Sequence, residues 1–194
     1  MSAAAPGWRP GPSTPPAASL RVNSARADIA SMLRVDQAGE YGATRIYAGQ
    51  LAVLGDTHPA SGEIGRMAAQ EKEHLRHFDD LLAARGIRPT ILQPFWAVAG
   101  HMLGAATALM GPKAAMACTA AIEDEIDAHY SEQLAALGDC EPELSRNIAR
   151  FQADEREHRD IALAAGAKAT PAYPILYSAI RAGCRIAIEL SKRI

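Results

Sequence analysis

The strongest constraint on this chain is a duplicated spacing of acids and histidines. Glu71-Lys72-Glu73-His74 follows a lone Glu40 by 31 residues, and Glu155-Arg156-Glu157-His158 follows Glu123 by 32. A three-residue step turns a helix through about 300°, so the Glu and His of each Glu-x-x-His project from one face. A four-helix bundle holds a pair of metal ions with one Glu from each of two helices and one Glu-x-x-His from each of the other two. Carboxylates on a buried helix face are costly when unpaired, and two divalent cations neutralise four of them. The candidate ligands are Glu40, Glu71, His74, Glu123, Glu155 and His158.

One Glu-x-x-His alone means little. With twelve Glu and six His in 194 residues, a chance copy is expected roughly 0.4 times. Two copies in a shared Glu-[Lys/Arg]-Glu-His context change the odds, and the duplication goes further. Seven residues after Glu40 comes Tyr47, then Gln50-Leu51; seven after Glu123 comes Tyr130, then Gln133-Leu134. Two turns separate each Tyr from its Glu, so the pair shares a face. Both phenols are placed to hydrogen-bond ligand carboxylates or to relay protons and electrons. A helical hairpin repeated in this way predicts a pseudo-two-fold axis through the metal pair.

Position alone also allows Glu125 in place of Glu123, but only Glu123 keeps the repeat. Oxygen-rich donors with two imidazoles favour iron or manganese. His129, beside Tyr130 and six residues from Glu123, is with Tyr130 a candidate catalytic residue. Asp36 and Asp154 are candidates to hydrogen-bond the outward nitrogens of the ligand imidazoles. His77 reads as a partly exposed polar residue.

Abundant alanine, few β-branched runs and 5% aromatic residues favour an all-α chain. Residues 1–23, with Pro6, Pro10, Pro12, Pro15 and Pro16, read as a disordered tail without an export signal, leaving 24–194 as one domain. Helices are expected over 24–54, 61–85, 112–138 and 142–165, with a shorter apolar one after Pro89 and Pro94 and a last one from Ala172 onward. Gly39 and Gly42 inside the first helix cost about 1 kcal/mol each against Ala and favour close approach of a neighbouring helix or a substrate. A net charge of −2 gives no reason to expect nucleic acid. Cys118, Cys140 and Cys184 have no ligand spacing and read as small buried residues in a reducing compartment.

From Pro89 to Pro112 there is no Asp, Glu, Lys or Arg. Pro94, Gly100, His101, Gly104 and Gly111 interrupt this segment, so a helix lying in the membrane interface is expected, anchored by Phe95 and Trp96. The last helix sets a basic stripe of Arg181, Arg185, Lys192 and Arg193 beside an apolar face of Leu176, Ile180, Ala187, Leu190 and Ile194. That pattern suits an anionic membrane surface.

Five stretches carry a family resemblance: Arg34 to Ala43 (Arg-Val-Asp-Gln-Ala-Gly-Glu-Tyr-Gly-Ala) with Arg45 to Gln50; Glu71 to His74; Met116-Ala117-Cys118-Thr119 leading to Glu123; Glu155 to His158; and Ala182-Gly183-Cys184-Arg185. In order and spacing they resemble the demethoxyubiquinone hydroxylase family of ubiquinone biosynthesis, over residues 24–194. The resemblance implies a ferritin-like four-helix bundle with two additional membrane-associated helices. It implies a monooxygenase that hydroxylates the ring of a demethoxylated polyprenyl benzoquinol, 3-demethoxyubiquinol, with O2. It also implies two iron ions per chain, held by Glu40, Glu71, His74, Glu123, Glu155 and His158. Electrons would come from NADH or through the quinone itself, and no Gly-rich nucleotide fingerprint marks the first route. The expected location is the cytoplasmic side of a bacterial inner membrane, attached peripherally to membrane lipid. A homo-oligomer and a complex with other ubiquinone-biosynthesis proteins are both compatible with the sequence. Two rival readings are a membrane di-iron quinol oxidase, which repeats the same motifs in a usually longer chain, and a ferritin-type iron store, which the apolar 89–112 segment disfavours.

Overall fold

The computed structural model describes residues 17–193, with side chains from Asp28 onward. Six α-helices follow one another: α1 (Ala17–Leu54), α2 (Ser61–Arg85), α3 (Gln93–Leu109), α4 (Pro112–Leu137), α5 (Pro142–Ala164) and α6 (Tyr173–Ser191), with a 3-10 turn at Ala167–Ala169. No strand occurs among the described residues. α1 begins at Ala17 rather than at the expected Ser24. The prolines end at Pro16, and neither Gly nor Pro recurs before Gly39, so nothing halts the helix at Ser24. The remainder of the expected tail, residues 1–16, lies outside the described residues.

The punctuation residues act locally. Gly86 ends α2 with φ 64°, a left-handed conformation open to glycine, and its N–H caps the carbonyls of Ala83 and Leu82. Pro94, Pro112, Pro142 and Pro174 sit in the first turns of α3 to α6, where the missing N–H costs nothing.

α1 pairs with α2 and α4 with α5, while α3 lies along α1 and α6 along α4. The repeat is therefore of three helices, not two. A second signal in the sequence marks it: Thr90 precedes Pro94, and Thr170 precedes Pro174, by four residues. Both threonines are buried, and their carbonyls accept the backbone N–H of Gln93 and Tyr173 at the head of α3 and α6.

Two apolar clusters occupy the ends of the bundle. One contains Tyr47, Ile64, Met67, Met116 and Ala162; the other contains Leu33, Phe78, Tyr130, Leu144 and Phe151. The six candidate ligands fall between these clusters along each helix. Burial of each large side chain contributes about 1.5–3 kcal/mol, which lets the bundle tolerate a polar layer at its middle.

The glycines divide by task. A Cβ on Gly49 would run into the backbone of His101 and Ala105, and one on Gly104 into the carbonyl of Ile46. α1 and α3 are thus in backbone contact at Gly49 and Gly104. Gly39 and Gly42, expected to admit a neighbouring helix or a substrate, have nothing within 4 Å of an added Cβ, although the Gly42 carbonyl lies 3.0 Å from a Cβ built on Gly100 of α3.

No helix among the described residues is long and apolar enough to cross a membrane. Two details of the expected membrane face change. Phe95 points outward, 60% exposed, but Trp96 turns inward and donates its indole N–H to Ser191 Oγ at 3.2 Å. Arg181 and Arg185 do not form a free basic stripe. Their Nε groups each bond a different oxygen of Glu125 at 2.8 Å. Glu125 is a buried carboxylate on α4, and such a charge requires a partner. Ile180 is buried and Leu176 packs on the core, while Ile194 lies outside the described residues. The exposed line on α6 is instead Ile175, Ala179, Ala182, Ile186 and Leu190, at helical spacing. Cys118 is buried and Cys184 half-buried, as expected, but Cys140 is exposed.

Candidate metal centre

Glu40 on α1, Glu71 and His74 on α2, Glu123 on α4, and Glu155 and His158 on α5 converge in the middle of the bundle, none more than 2% exposed. Their donor atoms form two overlapping groups, each within 4.8 Å: Glu40, Glu71, His74 and Glu155, and Glu71, Glu123, Glu155 and His158. Glu71 and Glu155 belong to both groups; Glu40 with His74, and Glu123 with His158, belong to one each. Both imidazoles turn Nδ1 inward. His74 Nδ1 stands 3.1 Å from Glu155 Oε1 and 3.7 Å from Glu40 Oε2. His158 Nδ1 stands 3.0 Å from Glu71 Oε1 and 3.3 Å from Glu155 Oε2.

Eight inward atoms of these six residues are buried without a hydrogen-bond partner: one oxygen each of Glu40 and Glu123, both oxygens of Glu71 and Glu155, and Nδ1 of both histidines. Leaving such charges unpaired costs of order several kcal/mol per ion. Two divalent cations satisfy all of these atoms and cancel four negative charges, so the donor set fits a metal pair. The electrostatics show the crowding. Burial, then the charge of Glu155, pushes Glu71 and Glu123 well above the ordinary carboxylate range, and burial raises Glu155 too. Burial acts the same way on Glu40, but neighbouring His74, Glu71 and Tyr130 outweigh it and lower its carboxyl. Burial opposes charge on His74, yet Glu155 and Glu40 lift its ring to about 11; on His158 burial prevails and lowers it.

The supporting residues cross between the halves. Tyr47, two turns from Glu40, donates its hydroxyl to Glu123 Oε1 at 2.6 Å, and Tyr130, two turns from Glu123, donates to Glu40 Oε1. Each phenol thus holds the candidate ligand of the opposite half. Asp154 Oδ2 lies 3.0 Å from His74 Nε2, as one of the two candidate pairings required. Asp36 does not reach His158. It accepts the side-chain amide of Gln133 at 2.6 Å, and that amide also lies 2.9 Å from His129 Nε2. The outward nitrogen of His158 finds Gln70 Oε1 at 3.1 Å, a residue that the sequence reading missed. A signal was present: Gln70 and Asp154 each stand immediately before the Glu of a Glu-x-x-His. His129 is apart from the donor groups; its Nε2 lies 3.5 Å from Asp36 Oδ1 and 2.9 Å from the Gln133 amide, and Tyr130 is its chain neighbour. Glu125 faces Arg181 and Arg185 rather than the cage, and Asp127 accepts from Gln152 and Arg156.

Residues 27–191 match the family described as "Ubiquinone biosynthesis protein COQ7". The chain belongs to that family. It is 55% identical over 171 residues to the 3-demethoxyubiquinol 3-hydroxylase of Rhodospirillum rubrum, covering 88% of this chain and 81% of the relative. It is 49% identical over 176 residues to the NADPH-dependent 3-demethoxyubiquinone 3-hydroxylase of Bos taurus mitochondria, covering 89% and 81%. To the mitochondrial 5-demethoxyubiquinone hydroxylase of Saccharomyces cerevisiae it is 37% identical over 179 residues, covering 84% and 77%.

In this COQ7-family chain an apolar cavity of about 510 Å³ adjoins the cage between α1, α3, α4 and α6. Gly39 and Ile122, the chain neighbours of Glu40 and Glu123, form part of its wall, with Gly42, Trp96, Leu103 and Ile180. The space beside Gly39 and Gly42 is thus cavity, while the Gly42 carbonyl itself meets α3 at Gly100. Among the described residues Glu125 is the one charged residue in that wall, and both of its oxygens are held by arginines.

Proposed function

We propose that this chain is a 3-demethoxyubiquinol 3-hydroxylase, a di-iron monooxygenase of ubiquinone biosynthesis. It places one atom of O2 on the ring of a demethoxylated polyprenyl benzoquinol and releases the other as water. One juxtaposition carries the reading: a buried cage of four carboxylates and two imidazoles beside an apolar cavity, in a chain of the COQ7 family. Two iron ions held by Glu40, Glu71, His74, Glu123, Glu155 and His158 would supply the reduction of dioxygen, which no side chain can perform.

The chain's own residues do the rest. Glu71 and Glu155 belong to both donor groups and would help to hold both ions. Tyr130 and Tyr47 hold one oxygen of Glu40 and of Glu123 and leave the other facing inward. The cavity receives the quinol ring and excludes water from it. The exposed apolar lines of α3 and α6 rest on the membrane interface, on the cytoplasmic side of the inner membrane, so that the prenyl tail stays in lipid. His129, whose side chain is 11% exposed, and its neighbour Tyr130 lead from the surface to Glu40 and are the route we assign to proton delivery. The bovine relative's name specifies NADPH; a nicotinamide, NADH or NADPH, is the reductant we assign.

The test is product analysis. The purified chain, loaded with ferrous iron, is given a short-tailed demethoxyubiquinol and ¹⁸O2. One ¹⁸O in the ring of the product supports the proposal. Quinone and labelled water without ring oxygen would identify a quinol oxidase instead, and iron uptake without any quinol turnover an iron store.

A further inference from the structure

The three-helix repeat makes the two metal positions alike in their ligands. Each donor group has one Glu from α1 or α4, the His of the helix paired with it, and both Glu71 and Glu155. Each terminal Glu also takes one tyrosine hydroxyl. The likeness stops behind the imidazoles. With Nδ1 turned inward as the donor, Nε2 of each ring carries the proton and donates outward. His74 Nε2 meets Asp154 Oδ2 at 3.0 Å, and His158 Nε2 meets Gln70 Oε1 at 3.1 Å. Asp154 and Gln70 occupy equivalent places, each one residue before the Glu of the opposite Glu-x-x-His. The repeat therefore presents a carboxylate to one imidazole and a neutral amide to the other, at nearly equal distance.

We propose that Asp154 and Gln70 make the two metal positions unequal: the position at His74 binds its ion first and more tightly, and the position at His158 second. A hydrogen bond to a carboxylate is charge-assisted and roughly twice as strong as one to a neutral acceptor. It draws the Nε2 proton outward and raises the electron density that Nδ1 offers to a cation. The amide of Gln70 orients His158 equally well but adds no charge. Asp154 is thus a positioning residue that also sets the donor strength of His74. This proposal rests on the metal-centre reading above and goes beyond it by ordering the two positions.

The experiment uses the full chain, stripped of metal and titrated anaerobically with ferrous iron. Two single-histidine variants, His158→Ala and His74→Ala, report the positions separately. The inference expects His158→Ala to bind its one ion about 10–100-fold more tightly than His74→Ala, the range by which outer hydrogen-bond partners alter metal affinity. Adding Asp154→Asn to His158→Ala should remove that advantage, and Asp154→Glu should restore it. Gln70→Glu, a charge change at a partly exposed site that demands no refolding, should tighten His74→Ala by a similar factor. A spectroscopic readout identifies the positions with all ligands present. One equivalent of ferrous ⁵⁷Fe in the unmodified chain should give the Mössbauer doublet of His158→Ala and not that of His74→Ala. Equal affinities in the two single-histidine variants, or a first doublet that matches His74→Ala, would overturn the ordering. Failure of the unmodified chain to bind iron would overturn the metal reading beneath it.

Discussion

The four helices of the cage and the two outer helices are built inside out with respect to each other. α1, α2, α4 and α5 bury carboxylates, imidazoles and amides at their middle. α3 and α6 do the reverse. Every large exposed hydrophobic among the described residues lies on or beside them: Ile91, Phe95, Val98, Met102, Leu109 and Met110 with α3, and Ile175, Ile186 and Leu190 with α6. Charge within and hydrocarbon without are both unfavourable in water. The first costs several kcal/mol for each unpaired ion, the second about 25 cal/mol per Å². The difference teaches that one chain carries two opposite departures from water-compatible packing, a buried cage of charged donors at its centre and exposed hydrocarbon on its outer helices.

The comparison breaks first at the cage. Glu123→Ala and Glu155→Ala should each lower iron well below about two ions per chain and abolish turnover, as read by metal analysis and product formation. Full loading of Glu123→Ala would transfer its role to another carboxylate. The next effect falls on the seam between the two helix classes. Gly104→Leu drives a side chain into the Ile46 carbonyl and should cost about 1–3 kcal/mol or more of unfolding free energy, visible in denaturant titration.

At the outer face, Phe95→Glu together with Ile186→Glu should reduce binding to anionic lipid vesicles at least tenfold while iron content and helicity stay unchanged. Unaltered vesicle binding would remove these helices from the membrane. Tyr130→Phe keeps shape and deletes only the hydroxyl that Glu40 accepts. It should slow hydroxylation about tenfold, about 1.4 kcal/mol of barrier, with little loss of iron. Gly39→Ala gives the smallest effect and the opposite sign in stability. Nothing lies within 4 Å of the new methyl, so helix propensity should raise stability by up to ~1 kcal/mol while the methyl narrows the cavity and raises KM.

The convergence of the six candidate donors is legible because fixed residue types stand at fixed helical spacing. Glu40 to His158 converge as their periodicity predicts, and five of the six helices begin and end within a residue or two of their Gly and Pro signals. The remainder depended on contacts that spacing does not encode. Which acid meets which imidazole is decided across helices, so Asp36 was misplaced and Gln70 unseen. The α6 arginines were read as a free stripe because their partner, Glu125, lies 56 and 60 residues away. Trp96 was read outward with Phe95, although neighbours on a helix differ by about 100° and only one of them faces out. Gly39 and Gly42 mark a need for space, for a helix or a substrate, and only the packing of α3 and α6 decides that both line a cavity while the Gly42 carbonyl also meets α3.

The two outer helices are also fastened differently, and this gives the cavity walls of unequal stiffness. α3 touches α1 backbone to backbone at Gly49 and Gly104, so any displacement inward meets hard repulsion at once. α6 is tied to α4 in part by Glu125 with Arg181 and Arg185, the latter 60% exposed. At 2.8 Å from a buried carboxylate the arginines lie well inside the Debye length of about 8 Å at physiological salt, so dissolved ions screen the tie little. The cavity therefore has one wall set by hard backbone contact and one held by charge pairing, which yields only where a charge is removed.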